Sequence, residues 1–361
     1  MSAQEIGFAI VGAGMVARYH ATAIERTPGA RLVAVCRLDA ARAEQTAAQF
    51  GVPCLADYAA LLAREDVVAV CICTPSGLHA EQTIAAARAG KHVLVEKPMA
   101  LSLADADAMI DACERAGVRL GVALQRRTEP EFQHLKAAIT AGELGQLVLG
   151  SVSVPYLRPQ SYYDSAGWRG TCALDGGGAL MNQGIHLVDL LLWMMGDAAE
   201  VRATAATLAH TIEVEDCVAA TLRFESGALG SITATTAAAP GFPHRVEIYG
   251  DRGGVQIEGE QVIRWEGAKA RGGEGAQGRH IGRPFTPAPL VEAGAGASPT
   301  GIGAAGHTRL IEDFVAALRG GRDPLVPGRE GRRALRLVLA VYEAARTGRA
   351  VSVEGGVEGV E

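Results

Sequence analysis

No apolar run in the 361 residues reaches membrane length: LVDLLLWMM (187–195), among the longest, is broken by Asp189 and falls well short of the roughly 20 residues that a bilayer span requires. Excess basic charge is also missing. Lys and Arg number 34 against 40 Asp and Glu, a formal net charge of −6, so no broad basic field exists to hold nucleic acid, and a small molecule is the expected partner. Cysteine is sparse, at seven, and no spacing among the seven suggests zinc. All are read as reduced, mostly buried thiols, with Cys71 and Cys73 expected on opposite faces of an apolar strand; no metal site is expected. The opening MSAQEIGFAIVGAGM has no basic stretch and no cleavage-type tripeptide, which points to a cytoplasmic protein.

The length suits two domains, each able to bury its own core. Through residue 124, continuous apolar runs (IGFAIV, RLVAVC, VVAVCICT, HVLVEKP, RLGVAL) alternate with helix-length patterns. That rhythm means βαβ units and a parallel sheet covered on both faces, so 1–124 is read as a doubly wound domain. After Gln125 come long alternating runs joined by hairpin signals such as FESGAL and YGDRGG. Residues 125–361 are read as a second α/β domain with a large, mainly antiparallel open sheet, and 267–306, rich in Gly, Ala and Pro, as a long surface excursion within it.

The motif IVGAGMVA sets Gly12, Gly14 and Ala17 in a G-x-G-x-x-A pattern between strand and helix. The first glycine permits the tight turn, the second lets a pyrophosphate approach the backbone, and the small third residue lets helix and strand pack closely. The domain is therefore expected to be of the Rossmann, dinucleotide-binding type, with Met15 and Val16 at the phosphate end of the helix. At the end of the second strand stands Arg37 where an acidic residue would hold a ribose 2′-hydroxyl; it suits a 2′-phosphate and favours NADP, while Asp39 leaves NAD open. The ends of two further strands supply Thr74, Pro75 and His79 from TPSGLH, and Glu96, Lys97 and Pro98 from VLVEKP. All of these but Pro98 are read as cofactor contacts. Lys97, at the ligand-binding edge of a parallel sheet, is also suited to hydrogen-bond a substrate hydroxyl as hydride leaves. Gln125 and Arg127 are expected on the nicotinamide side, the first toward cofactor, the second toward substrate.

In LDGGGALMNQGIHLVD (174–189), three glycines run into a helical pattern with Asn182, His186 and Asp189 on one stripe. Asn182 and Gln183 are read as substrate contacts, and Asp189 as a core residue. Upstream, YLRPQSYYDSAGWRGT (156–171) offers Tyr163, Trp168 and Arg169, whose aromatic faces and donors suit a polyhydroxylated or nucleotide-linked ligand.

With these motifs in this order, the sequence resembles the glucose-fructose oxidoreductase, inositol dehydrogenase and rhizopine-catabolism (Gfo/Idh/MocA) family over nearly its whole length, the closing GREGRRALRLVLAVYEAARTGRAV included. The resemblance implies a nicotinamide-dependent enzyme acting on a sugar, sugar derivative or cyclitol. It also implies a catalytic Lys97, a cis Pro98, and a homodimer or homotetramer built through the C-terminal sheet. The family's usual Asp and His, four residues apart, fall on Asn182 and His186. Asn cannot titrate, so His186 becomes the expected general base, Lys97 shares the bond to the reacting oxygen, and Asn182 positions the ring. The same departure keeps a rival reading alive, a catalytically silent sensor of dinucleotide or sugar with this fold.

Overall fold

The computed structural model describes residues 5–267, 279–280, 294–298 and 304–353. The chain divides into two compact units, Met1–Thr128 with Gly303–Leu335, and Glu129–Ile302 with Arg336–Glu361. Among the described residues no helix is long and apolar enough to cross a membrane.

The first unit is built on six parallel strands, β1 (Ile6–Val11), β2 (Ala30–Cys36), β3 (Cys54–Leu55), β4 (Ala69–Ile72), β5 (His92–Val95) and β6 (Leu120–Val122), in the order β3-β2-β1-β4-β5-β6. Every residue of β1 and β4 is buried, as expected of strands covered on both faces. The strand order reverses between β1 and β4, which opens a crevice at their carboxyl ends. One layer of this core comes from far along the chain. Leu310, Ile311, Phe314 and Val315 of the helix Ala305–Gly320 pack with Phe8, Ile10, Ile24 and Leu94, and the rings of Phe8 and Phe314 lie 6.3 Å apart. The expectation that everything after residue 124 belongs to the second domain is thereby corrected: an amphipathic helix seats where its apolar face is buried, whatever its distance in sequence.

The second unit carries β7 (Leu147–Pro155), β8 (Ala198–Ala206), β9 (Cys217–Phe224), β10 (Leu229–Thr235), β11 (Arg245–Gly250), β12 (Gly253–Glu258), β13 (Gln261–Gly267), β14 (Arg279–His280) and β15 (Val351–Ser352). They form one sheet ordered β14-β13-β12-β11-β7-β10-β9-β8-β15, antiparallel except where β7 meets β10. Burial alternates along β9 and β10, so one face is covered and one open. The helix Ile185–Met195 lies on the covered face at Gly150, where a Cβ would fall 2.7 Å from Met195. Within the stretch read as a surface excursion, Gly296 is buried against the backbone of Phe242, and β14 extends the sheet edge; residues 268–278, 281–293 and 299–303 lie outside the described residues.

Candidate active site

The carboxyl ends of β1, β4 and β5 carry the first group of candidates. After β1 the chain turns at Gly12 with φ +94°, and a Cβ there would lie 2.7 Å from the Cys73 carbonyl oxygen, so only glycine fits. Gly14 precedes the helix Met15–Arg26, and a Cβ on it would meet nothing within 4 Å. That helix starts with no side-chain cap and no acidic residue in its first turn, which leaves its first N–H groups directed at open space. A dinucleotide pyrophosphate fits such a cradle. Ala17 is fully buried, Val16 packs on the core, and Met15 is exposed beside the cradle.

Arg37 follows β2, half-buried, and its guanidinium has no ion-pair partner among the described residues; Asp39 turns to Arg42 at 3.4 Å. Thr74 donates to Gln82 at 2.7 Å and Pro75 leads into the next turn. His79 requires a correction. Its Nδ1 lies 2.9 Å from the Pro98 carbonyl oxygen and its Nε2 2.9 Å from that of Thr74, so the ring ties the exit of β4 to that of β5 and has nothing to offer a nucleotide. Burial lowers its pKa.

Glu96, expected against the cofactor, also faces inward. One carboxylate oxygen lies 2.7 Å from His20 Nε2 and 3.6 Å from His307 Nε2, and the other accepts the Lys97 N–H at 3.2 Å. Burial would push the Glu96 carboxyl up, but hydrogen bonds and charge from His20 and His307 outweigh it and hold the group well below the usual range. Burial likewise opposes a charged His20; the surrounding groups, with the thiols of Cys73 and Cys71 close by, reverse this and place its pKa well above the ordinary value. Cys71 and Cys73 thus share a face beside His20, as residues two apart in a strand must, and are not on opposite faces. Burial keeps His307 below its ordinary value. The three ligand-type atoms of His20, Glu96 and His307 lie within 4.8 Å of one another. With His20 raised, Glu96 depressed and His307 lowered, His20 and Glu96 form a buried ion pair beside a less basic His307.

Lys97 is half-buried at the end of β5, and the Lys97–Pro98 bond is cis. Its ammonium adds a positive charge that lowers the pKa of both His79 and His307. Gln125 is buried against Gly306. Arg127 is a second correction: 3% exposed, it donates to Glu330 at 2.8 Å and anchors the start of the helix Gly328–Thr347, which leaves that donor committed to the fold.

In the second unit Gly176 takes a positive φ of 76°, and the next two glycines serve packing. A Cβ on Gly178 would lie 1.7 Å from the Glu215 carbonyl oxygen, and one on Gly177 would lie 2.4 Å from the Tyr342 hydroxyl, so their smallness admits neighbouring chain and not a ligand. Glu215 escaped the sequence reading. Its carboxylate accepts N–H bonds from Gly178 and Leu180, each 2.8 Å, and the Tyr342 hydroxyl at 2.9 Å; burial raises its pKa against these donors. Ala179–Gly184 then winds as a π-helical turn before the helix Ile185–Met195. The wider turn shifts the stripe: Asn182 and His186 are half-buried, while Asp189 is 1% exposed in the core.

Asn182 Nδ2 donates to Asp175 at 2.6 Å, and Asp175, itself buried, accepts the Gly170 N–H at 2.8 Å. Asp175 stands in the quoted stretch seven residues before Asn182, but the glycine turn that folds it back has no periodic signature. Gln183 accepts from Arg158 at 3.0 Å and reaches the Tyr162 hydroxyl at 3.5 Å. Tyr163, expected toward substrate, is buried with its hydroxyl 2.8 Å from that of Thr236. Its neighbour Tyr162 is half-buried, and the Arg169 guanidinium lies 4.2 Å from its ring and 4.6 Å from that of Trp168. Consecutive residues of a short helix point in different directions, and the pair YY gives no sign of which ring is fully buried.

Residues 6–124 match the family model described as "Oxidoreductase family, NAD-binding Rossmann fold", and residues 132–256 match the GFO/IDH/MocA C-terminal domain. D-Apiose dehydrogenase of Paraburkholderia graminis is 30% identical over 351 residues, 96% of this chain and 89% of that protein. Inositol 2-dehydrogenase of Rhizobium meliloti is 28% identical over 355 residues, 96% and 99% of the two chains. The crystal structure of the WlbA dehydrogenase from Bordetella pertussis in complex with NADH and UDP-GlcNAcA matches with a TM-score of 0.84 and 35% identity, covering 97% of this chain and 99% of that one.

Proposed function

The chain belongs to the Gfo/Idh/MocA family of oxidoreductases, and from that premise we propose that it oxidises a secondary hydroxyl of a sugar, sugar derivative or cyclitol, or reduces the matching ketone, with NADP or NAD. One observation carries the reading: the uncapped glycine cradle after β1 and Lys97 after β5 stand on the same carboxyl edge of one parallel sheet. Nicotinamide, when bound, accepts or supplies the hydride. Gly12, Gly14, Met15, Val16, Thr74, Pro75 and Gln125 are assigned to holding the cofactor, and Arg37, without an ion-pair partner among the described residues while Asp39 is engaged, favours a 2′-phosphate. Lys97 donates to the reacting oxygen and stabilises the negative charge that develops on it. His186 takes the proton. Asn182, held by the bond from its amide nitrogen to Asp175, is assigned to positioning the substrate ring.

The test is a panel of free sugars, sugar acids, inositols and nucleotide sugars, followed by absorbance of the reduced cofactor with NAD and with NADP. Turnover in at least one class, faster with NADP, is expected; silence across the panel with nucleotide binding intact removes the proposal. A second expectation concerns Asn182→Asp, which restores the usual family residue but sets two carboxylates at the 2.6 Å now spanned by a hydrogen bond. Such a pair holds one proton between its members. A fall in kcat/KM on the order of 10-fold or more is expected, with a new ionisation in the pH–rate profile; a faster variant with an unchanged profile would contradict the role given to Asp175.

We also place the protein in the cytoplasm, as a homodimer or homotetramer through the open face of the second sheet. There Leu149 and Leu229, 40% and 57% exposed, pair across β7 and β10 and continue into a ladder of Ser151, Ser231, Ser153 and Thr233. Sedimentation equilibrium reads the assembly directly.

A further inference from the structure

Resting on the dehydrogenase reading, we infer that the substrate is an acidic sugar whose carboxylate or phosphate is bound by Arg169, with the buried Arg158 behind it. Both guanidiniums gather on one ring. Arg169 lies 4.2 Å and Arg158 5.9 Å from the centre of Tyr162, and Arg158 also lies 5.3 Å from that of Tyr156. Neither forms an ion pair with a carboxylate among the described residues.

Arg158 is 1% exposed and, among the described residues, donates only to neutral acceptors: the carbonyls of Leu157 (2.7 Å), Ala295 (2.8 Å) and Gly296 (3.3 Å), and Gln183 Oε1 (3.0 Å); its buried Nε has no partner among them. Arg169 donates through Nη1 to the Tyr162 hydroxyl at 2.5 Å; among the described residues its buried Nε has no partner and its Nη2 makes no hydrogen bond. Neutral acceptors satisfy N–H groups but do not cancel charge, and a buried uncompensated cation is costly. Asp175 acts on Tyr162 through its charge, and its oxygens accept from Asn182 and Gly170. Asp216 is spent on His210 and on the backbone N–H groups of Leu208 and Ala209. Two guanidiniums without an ion-pair carboxylate among the described residues leave the cluster positive.

Its position gives that charge a use. Gln183, bonded to both Arg158 and Tyr162, is the residue after Asn182, so an anion at Arg169 would be held beside the wall assigned to the sugar ring. Arg169 is half-buried between Trp168 and Tyr162, which restricts its motion and directs a planar donor fork at an entering oxyanion.

Calorimetric titration of the full chain, saturated with reduced cofactor, with pairs that differ only in the acid tests this: glucose with glucuronate, glucose with glucose 6-phosphate, and UDP-glucose with UDP-glucuronate. The acid member of at least one pair is expected to bind about 10- to 100-fold more tightly, and Arg169→Met to cut that ratio to within about 3-fold. The uronate and phosphate arms identify which oxyanion is read. Equal affinity within every pair, no binding by any acid, or a preference that survives Arg169→Met overturns the inference. Should the variant lose its thermal midpoint, the wild-type ratio decides, since an ionic preference must shrink between low salt and about 0.5 M. Turnover is read separately through the cofactor absorbance. Acid preference without turnover retains this subsite and removes the reaction, whereas turnover of neutral sugars without acid preference does the reverse.

Discussion

Replacement of Lys97 by Met is expected to lower kcat by about 10²- to 10⁴-fold, the range that one positioned acid or base supplies. Methionine keeps the length and apolar character of the lysine stem, so the half-buried site at the end of β5 stays filled while the charge and the donor are lost. Cofactor affinity should change by no more than about 3-fold, because the phosphate cradle lies after β1 and is made by backbone and glycine. Loss of the ammonium also removes one of the charges that hold His79 and His307 low, so both should titrate at slightly higher pH in the variant. Stopped-flow turnover and a fluorescence titration with reduced cofactor separate the two effects. Full turnover in Lys97→Met would end the catalytic assignment; loss of cofactor binding in parallel would mark the lysine as part of the cradle.

The second large effect is on stability. Glu96→Gln removes the charge that His20 faces at 2.7 Å inside a site where both side chains are buried, and a cost of about 3 kcal/mol is expected near neutral pH. The sign of the pH dependence follows from the two shifts. His20 stands above its unfolded value, so its contribution is full below about pH 6.5 and fades as pH rises through the raised folded pKa. Glu96 stands below its unfolded value, so its contribution is present above about pH 4.3 and fades as pH falls through the depressed folded pKa. The gap between wild type and variant should therefore be widest at mildly acidic pH and close on both sides. Urea denaturation at a series of pH values measures it. Parallel stability curves would show that the pair is not charged in the folded state.

Neither residue of that pair announced its partner. Glu96 stands at the carboxyl end of a parallel strand, where ligands bind, but its carboxylate turns inward because the helices carrying His20 and His307 close over it. His79, Arg127 and Tyr163 show the same limit. Each has the right chemistry at the right strand or loop, and each spends it on the fold, on the carbonyls of Thr74 and Pro98, on Glu330, and on Thr236. A side chain near a site satisfies its own burial first, and sequence spacing does not report which polar groups it will be buried among.

What the sequence determined by itself is local. Alternation of apolar runs with helical patterns dictated the doubly wound sheet, since strand and helix periods are properties of neighbouring residues. The glycine turn at Gly12 and Gly14 was equally legible, because a positive φ and an open helix start need particular residues at particular places. The order of these motifs identified the family, which the family models and relatives then showed. Tertiary structure alone decided the rest: the return of Ala305–Gly320 to the first core, the Glu215 carboxylate under the glycine triplet, the Asp175 partner of Asn182, and the two arginines on Tyr162. Most of these join residues whose separation carries no periodic signal; their energies come from burial and from charges brought close by the fold, which no short window of sequence contains.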